Sequence, residues 1–128
     1  MTYSDHDNSF GGIDYYTRNS DDLTIGSANL DNIIYAFWQG KLCGVNVNVS
    51  NFSNWDSLLN ATRTKFGEGF QSNPYIQKYF WNGNTTVMLA SYNEITKKGN
   101  LLIISEKIHR EQEAWEQARA QEGAQKGF

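Results

Sequence analysis

The residues of this chain that could do chemistry are few and far apart. The only cysteine is Cys43, and the only histidines are His6 and His109. A nucleophilic thiol needs a base beside it, whereas Cys43 alternates with valines in a strand pattern. Because a buried cysteine behaves as a small hydrophobic residue, we interpret Cys43 as a core residue. His109 lies in a charged segment, where an exposed, titrating side chain is expected.

One short run has the composition of a metal site. The run Asp5-His6-Asp7-Asn8 supplies carboxylate, imidazole and amide groups. A metal site also needs ligands that are held in a fixed geometry. Because the run lies in a polar segment with little to bury, we predict no metal there, and we predict no cofactor elsewhere in the chain.

The remaining acidic and glycine-rich groups do not form a recognisable catalytic set. Asp21, Asp22 and Asp31 lie in turn-like segments without the apolar setting that raises a carboxyl pKa. Gly67-Glu68-Gly69 follows a predicted helix, whereas phosphate loops present their amides at a helix start. No Gly-x-Ser-x-Gly, Cys-x-x-Cys or His-Glu-x-x-His motif occurs. We therefore favour a function other than catalysis.

Composition restricts the class of protein further. The chain has 128 residues, which suits one domain. Its net charge of −3 argues against a nucleic-acid-binding protein, which usually carries a basic field. No apolar run is long enough to span a bilayer, and residues 1–10 lack the apolar core of a signal peptide. A single cysteine allows no intrachain disulfide.

One helix is clearly predicted in the middle of the chain. Its apolar residues lie on one face, at offsets 0, 3, 4, 7 and 11, and they are Trp55, Leu58, Leu59, Thr62 and Phe66. Ser53 or Asn54 can cap its start, and Gly67 can adopt the left-handed conformation that ends a helix.

A hairpin is predicted before this helix. Residues 30–39 read as a strand with apolar residues on both faces, so both faces are expected to be covered. Gly40-Lys41 is predicted to form a two-residue turn. In residues 42–50 one face is apolar and consists of Cys43, Val45, Val47 and Val49.

A second set of strands is predicted after the helix. Residues 75–81 read as a strand, and Asn82-Gly83 is a strong signal for a hairpin turn. Residues 85–95 form the returning strand, residues 96–100 a further turn, and residues 101–105 a last strand.

The predicted fold class is α+β. An antiparallel sheet of five or six strands, in the order β-β-β-α-β-β-β, carries one amphipathic helix packed on it and a C-terminal polar helix. Residues 1–12 are predicted to be a flexible leader and residues 13–108 a single domain. Residues 109–128 are predicted to be a polar helical tail that frays after Gly123.

The aromatic residues of the strands have two interpretations. Tyr75, Tyr79 and Trp81 fall on one side of a predicted strand, and Trp38 lies in the first hairpin. They either cover the helix as core residues, which we favour, or form an interface that anchors a protein partner. The surplus of apolar residues over what one helix can cover is the sequence feature that points to an interface.

Three segments carry a resemblance to a known group of proteins. They are Ile34-Tyr35-Ala36-Phe37-Trp38-Gln39-Gly40-Lys41-Leu42, then Lys65-Phe66-Gly67, and Tyr79-Phe80-Trp81 followed by residues 85–89. In these segments the chain resembles small bacterial α+β domains of unknown function that are often found after a signal peptide. The resemblance implies an exported α+β domain and assigns no catalytic residues.

The expected function is therefore a non-enzymatic binding or protein-interaction domain of the bacterial envelope. Its partner is expected to be a protein or a second copy of the chain, which would form a homodimer by edge pairing or exchange of a hairpin. A periplasmic or exported location is expected, with a cytoplasmic one as the alternative. The alternative function is a small-ligand-binding protein or an enzyme with a pocket between helix and sheet.

Overall fold

The structure is a computed structural model that describes residues 1–126. Over these residues the chain forms nine strands, a 3-10 turn (Ser9–Gly11) and two α-helices. The strands are β1 (Thr2–Asp7), β2 (Ile13–Thr17), β3 (Thr24–Ile25), β4 (Ala28–Asn29), β5 (Asn32–Trp38), β6 (Lys41–Ser50), β7 (Lys78–Asn82), β8 (Thr86–Asn93) and β9 (Lys98–Ser105). The helices are α1 (Phe52–Phe66) and α2 (Glu106–Lys126).

Seven of these strands form one antiparallel sheet. Their spatial order is β1-β2-β5-β6-β9-β8-β7, and β3 and β4 form a small separate hairpin. The predicted α+β class with an antiparallel sheet is confirmed. The sheet has seven strands instead of five or six, and a second helix also contacts it. No helix of the described residues is both long and apolar enough to cross a membrane.

The helix α1 covers one half of one face of the sheet, here called the first face. Its buried residues are Trp55, Leu58, Leu59 and Thr62. They pack on a cluster from the central and outer strands that includes Val47, Val49, Met88, Ala90 and Leu101. The predicted apolar stripe is thus confirmed for four of its five positions. Phe66, in the last turn, remains 53% exposed.

The ends of α1 show why the helix starts and stops where it does. The side chain of Asn51 accepts a hydrogen bond of 3.1 Å from the backbone N–H of Asn54, so the cap lies before the predicted Ser53 or Asn54. At the other end Gly67 adopts a positive φ of 94°, and its N–H donates to the carbonyl of Arg63. The predicted stop at Gly67 is therefore confirmed.

The opposite, second face carries a smaller cluster under α2. This cluster contains Ile13, Trp38 and Cys43, with Ile108 and Trp115 of α2 packed against it. The prediction that both faces of β5 are covered is confirmed in part. Ile33 packs on the first cluster and Trp38 lies in the second, whereas Ile34 lies where α2 leaves the second face uncovered. The prediction that the tail frays after Gly123 is wrong for residues 124–126, because α2 continues to Lys126, and residues 127 and 128 lie outside the described residues.

Two irregularities shift the predicted first hairpin. The turn is Gln39-Gly40 and not Gly40-Lys41, since Trp38 pairs with Lys41 and both turn residues have positive φ. Gly44 of β6 pairs with Ala36, and Leu42 pairs with the next residue of β5, Phe37. Cys43 is therefore an extra residue in β6. This bulge moves Cys43 to the second face, away from the valines that the alternation groups it with.

The segment predicted as a leader contributes an edge strand. β1 pairs with β2, and Tyr3 packs edge-on against Tyr16 with their ring centroids 5.6 Å apart. Every residue of β1 is exposed. An exposed edge strand has no buried face, so its sequence shows no apolar alternation from which it could be recognised.

Candidate functional site

The four predicted interface residues fall in three different places. Tyr79 and Trp81 lie side by side in the first-face cluster, with ring centroids 6.3 Å apart. Trp38 lies under α2 on the second face, and its indole N–H donates to the carbonyl of Phe10. Tyr75 is 92% exposed, in a loop before β7 and not in the predicted strand. Tyr79, Trp81 and Trp38 are therefore core residues, which is the interpretation that we favoured. Their role at an interface stays a prediction.

Cys43 has the surroundings of a structural residue. It is buried, and its thiol lies 3.3 Å from the carbonyl oxygen of Ala36, to which it donates. Burial raises the pKa of the Cys43 thiol above its ordinary value. A thiol in this state is a poor nucleophile, which agrees with the interpretation of Cys43 as a core residue.

The carboxylates that are close in sequence are used separately. Asp21 accepts from the hydroxyl of Tyr35 at 2.7 Å, Asp22 from the hydroxyl of Thr24, and Asp31 from that of Ser50. They do not converge on one point. Asp22 and Asp31 are exposed, as expected for solvated turn residues, whereas the Asp21 side chain is only 11% exposed and also lies 3.4 Å from Nε of Arg18.

His6 is the centre of a small polar cluster on the first face. Its Nδ1 lies 2.7 Å from a carboxylate oxygen of Asp14, and its Nε2 lies 3.1 Å from the side-chain oxygen of Asn8. Both ring nitrogens therefore face acceptors, an arrangement that favours the doubly protonated imidazolium. Among residues 1–126, no three His, Cys, Asp or Glu residues are grouped so as to hold a metal.

This cluster predicts a pH effect. The hydrogen bond to Asp14 is the main cause that raises the pKa of His6 above its ordinary value of 6.5. The pKa of His6 is higher in the folded state than in the unfolded state. The stabilisation that the cluster contributes is therefore fully present at pH values below the ordinary pKa of histidine. This contribution is lost as pH rises through the folded pKa. We expect NMR titration of the His6 ring to give a pKa above 6.5.

The contribution of Asp14 can be isolated with two variants. Asp14→Asn is expected to lower the His6 pKa, since the charged acceptor is lost. The matched control Asp5→Asn also removes a nearby charge, but Asp5 accepts only from the backbone N–H of His6. An equal change in both variants would show that general charge, and not the hydrogen bond to Asp14, sets the His6 pKa.

A wide cleft lies between α1 and the sheet. It has a volume of about 890 Å³ and lies between the second half of α1 and strands β7, β8 and β9 on the first face. Its walls are mainly apolar and include Leu58, Ala61, Trp81, Met88 and Ile103. The sequence gives no direct signal for this cleft, because it arises where one helix is too narrow to cover three strands.

The polar groups around the cleft are few. Thr62 donates its hydroxyl to the carbonyl of Leu58 at 2.8 Å, and the indole N–H of Trp81 donates to the carbonyl of Gly67 at 3.0 Å. Lys65, near the end of α1, is the one ionisable side chain among the residues that line the cleft. This arrangement is suited to holding an apolar molecule, and its lining supplies no pair of groups for acid–base catalysis.

A second exposed feature lies on the part of the second face that α2 leaves uncovered. Ile34, Leu102, Leu89 and Phe80 lie on this face across neighbouring strands, and Phe70 packs beside β7. We call these five residues the open patch. Leu89 is 41% and Phe70 66% exposed. A groove of about 560 Å³ runs between Phe70 and the strands.

A row of asparagines borders the open patch. Asn48 donates its side-chain N–H to Asn32 at 2.7 Å, and Asn100 donates to Asn48 at 3.1 Å. We call Asn32, Asn48 and Asn100 the amide row. The row crosses β5, β6 and β9, so its members meet only after the strands have paired. Sequence reasoning assigned no role to the open patch or to the amide row.

Comparison with models of known families, with characterised proteins and with solved structures finds no match for this chain. The resemblance described under Sequence analysis therefore remains an expectation.

Proposed function

We propose that this chain is a non-enzymatic binding domain that associates with a protein through the open patch. The observation that carries the proposal is the uncovered half of the second face, where apolar side chains from β9, β8 and β7 are direct neighbours and Ile34 of β5 lies beyond Asn46 of β6. Contiguous exposed apolar surface is uncommon on monomeric proteins and typically marks an interaction site. The bordering amide row is suited to the polar rim of such an interface.

The partner that fits best is a second copy of the chain. A two-fold interface brings the same patch of both copies together. The chain carries a net charge of −3, yet neither the open patch nor the amide row contains a carboxylate. Two copies can therefore meet here without opposing carboxylates, although Lys78 of each copy lines the adjoining groove. Asparagine side chains both donate and accept, so the amide rows of two copies can pair with each other.

Edge pairing is the less favourable route to a dimer. At the β7 edge, Phe70 already exchanges backbone hydrogen bonds of 2.7 and 2.9 Å with Phe80. At the β1 edge, Asp5 and Asp7 place negative charges on a short strand. Covered and charged edges of this kind hinder strand addition. A face-to-face dimer avoids both edges.

The proposal is tested by the oligomeric state in solution. Sedimentation equilibrium of the wild type is expected to show a monomer–dimer equilibrium. Leu89→Asp places a charge in the open patch and is expected to weaken the dimer at least about 30-fold, the size of a hot-spot loss. Ile95→Asp is the control, because Ile95 is 92% exposed and outside the patch.

A wild type that stays monomeric at every accessible concentration contradicts self-association through this patch. Equal weakening by the two substitutions also contradicts it, since general charge repulsion would then be the cause. Circular dichroism of both variants confirms that they are folded.

We also propose that the domain acts in the bacterial envelope, as an exported or periplasmic protein, with a cytoplasmic location as the alternative. The support is the resemblance carried by the strands on either side of α1. Fractionation of source cells with an antibody to the domain tests it, and recovery in the cytoplasmic fraction would contradict it.

The cleft supports a second candidate function, which is binding of a small ligand. The specific observation is its volume of about 890 Å³, which lies within the range of roughly 300–1,000 Å³ that ligand sites show. An enzyme would need convergent ionisable groups there, and Lys65 alone does not provide them. We therefore keep the candidate as a binding function.

A further inference from the structure

We infer that the cleft between α1 and the sheet binds a single-chain amphiphile with an anionic head, of the fatty-acid class. The inference rests on the second candidate function above and adds the chemical class of the ligand. It is independent of the open patch, which lies on the opposite face of the sheet.

The interior of the cleft selects for an apolar chain. Side chains from the helix and from three strands provide its walls, and the most buried apolar ones, Leu58 and Leu101, are 1% and 5% exposed. Two polar groups in its buried wall, the Thr62 hydroxyl and the Trp81 indole N–H, already donate to backbone carbonyls. The other polar lining residues besides Lys65 are more exposed, and they are Asn82, Thr85 and Thr86. A polar ligand group placed inside would leave its own hydrogen bonds unmet, whereas a hydrocarbon chain would not.

The mouth of the cleft selects for negative charge. Lys65 lines the cleft near the end of α1, and its Nζ lies 5.5 Å from the ring centroid of Phe66. Within the described part of the chain it takes part in no ion pair. The lining contains no carboxylate that would neutralise it. The ammonium group is therefore positioned to pair with a carboxylate head while the chain enters the cleft.

The dipole of α1 makes binding of an anionic head depend more strongly on Lys65. A helix ends in unpaired carbonyls, which repel an anion. Without the lysine, the mouth would favour a neutral head over an anionic one. Lys65→Gln is thus expected to reverse the preference between the two heads and not merely to weaken binding.

The test uses isothermal titration with saturated fatty acids of increasing length, all kept below their micelle concentration. Each added methylene that enters the cleft is expected to tighten binding about fourfold. The increase should end when the cleft is full. The primary alcohol of equal length is expected to bind more weakly to the wild type, at least about tenfold for loss of a charged partner.

Three variants make the test specific. Lys65→Gln is expected to reverse the preference, so that this variant binds the alcohol more tightly than the acid. Lys97→Gln is the matched control, since Lys97 is an exposed lysine in the loop before β9 that lines neither the cleft nor the groove beside the open patch. Ala61→Phe fills the cleft from the helix side and is expected to abolish binding of both probes. Its fold is checked by circular dichroism, and the Lys65 comparison stands if this variant does not fold.

The outcomes separate the inference from the functions proposed above. Equal binding of acid and alcohol by the wild type overturns the anionic class but keeps a binding cleft. Absence of binding by every chain length overturns the cleft function as well. Binding to anionic phospholipid vesicles without binding of the monomeric acid overturns a single-chain occupant and points to a membrane surface. None of these results changes the expected effect of Leu89→Asp on dimerisation.

Discussion

Replacing Trp55 with alanine is expected to lower the free energy of unfolding by about 3–5 kcal/mol, the range for removal of a large buried aromatic. Trp55 is fully buried between α1 and the first face. Its ring stacks on Tyr92 with centroids 5.7 Å apart and lies 6.5 Å from Tyr79. The cavity would lie beneath the helix that holds this half of the core together. Urea denaturation followed by circular dichroism measures the loss.

Trp55→Phe separates packing from hydrogen bonding. The indole N–H of Trp55 is buried without a hydrogen-bond partner among the described residues. Leaving such a donor unpaired costs about 1–3 kcal/mol, and phenylalanine removes the donor while it keeps most of the ring. We expect Trp55→Phe to cost less than half of the alanine loss. Ile95→Ala, at an exposed turn position, is the control and is expected to stay within about 0.5 kcal/mol of the wild type. A small loss in Trp55→Ala would contradict the packing of α1 described above.

Adding a single methyl group at Gly99 is expected to destabilise the same core from the sheet side. Gly99 lies in β9, directly beneath Trp55. A Cβ there would lie 2.8 Å from Cγ2 of Val49 and 2.9 Å from Cε3 of Trp55, and both residues are fully buried. Neither neighbour has space to move away. Gly99→Ala is therefore expected to cost about 1–3 kcal/mol through overpacking, measured by the same urea titration.

The cause can be checked with a double-mutant cycle. Val49→Ala removes the methyl group that the new Cβ would meet, so Gly99→Ala should cost less in that background. The expected coupling is about 0.5–3 kcal/mol. Gly123→Ala is the control, because an added Cβ at Gly123 meets nothing within 4 Å. A penalty at Gly99 that is unchanged by Val49→Ala would show that the methyl clash is not its source.

Gly99 also illustrates a limit of sequence reasoning. The sequence predicts a turn over residues 96–100, and glycine is an ordinary turn residue. In the structure the loop is confined to the residues before Lys98, and Gly99 pairs with Val49 and Tyr92 within the sheet. The glycine is needed there because Trp55 comes from a different element to occupy the space above it. No local pattern contains that information.

Cys43 and the open patch show the same limit for faces of the sheet. Strict alternation places Cys43 with Val45 and Val47, yet one extra residue in β6 moves it under α2. The open patch joins Leu89 to Leu102 and Phe80, which come from three strands. Such a surface exists only after the strands have paired in one register. The sequence shows the surplus of apolar residues but not where it is exposed.

The elements whose formation depends on residues close together in the sequence could be predicted. The sequence by itself determined the existence of α1, its buried stripe, its stop at Gly67, the strands on either side of it and the α+β class. These follow from periodicity and from the conformational freedom of glycine, which act over a few residues.

Only the tertiary structure decided the seventh strand, the strand order, which half of each face a helix covers, and the positions of the cleft and the open patch. These depend on contacts between segments far apart in the chain, such as β6 with β9 and α2 with the 3-10 turn. The physical reason is that burial is a property of the assembled layers. An apolar residue carries the same local signal whether a helix covers it, as at Trp81, or solvent does, as at Leu89.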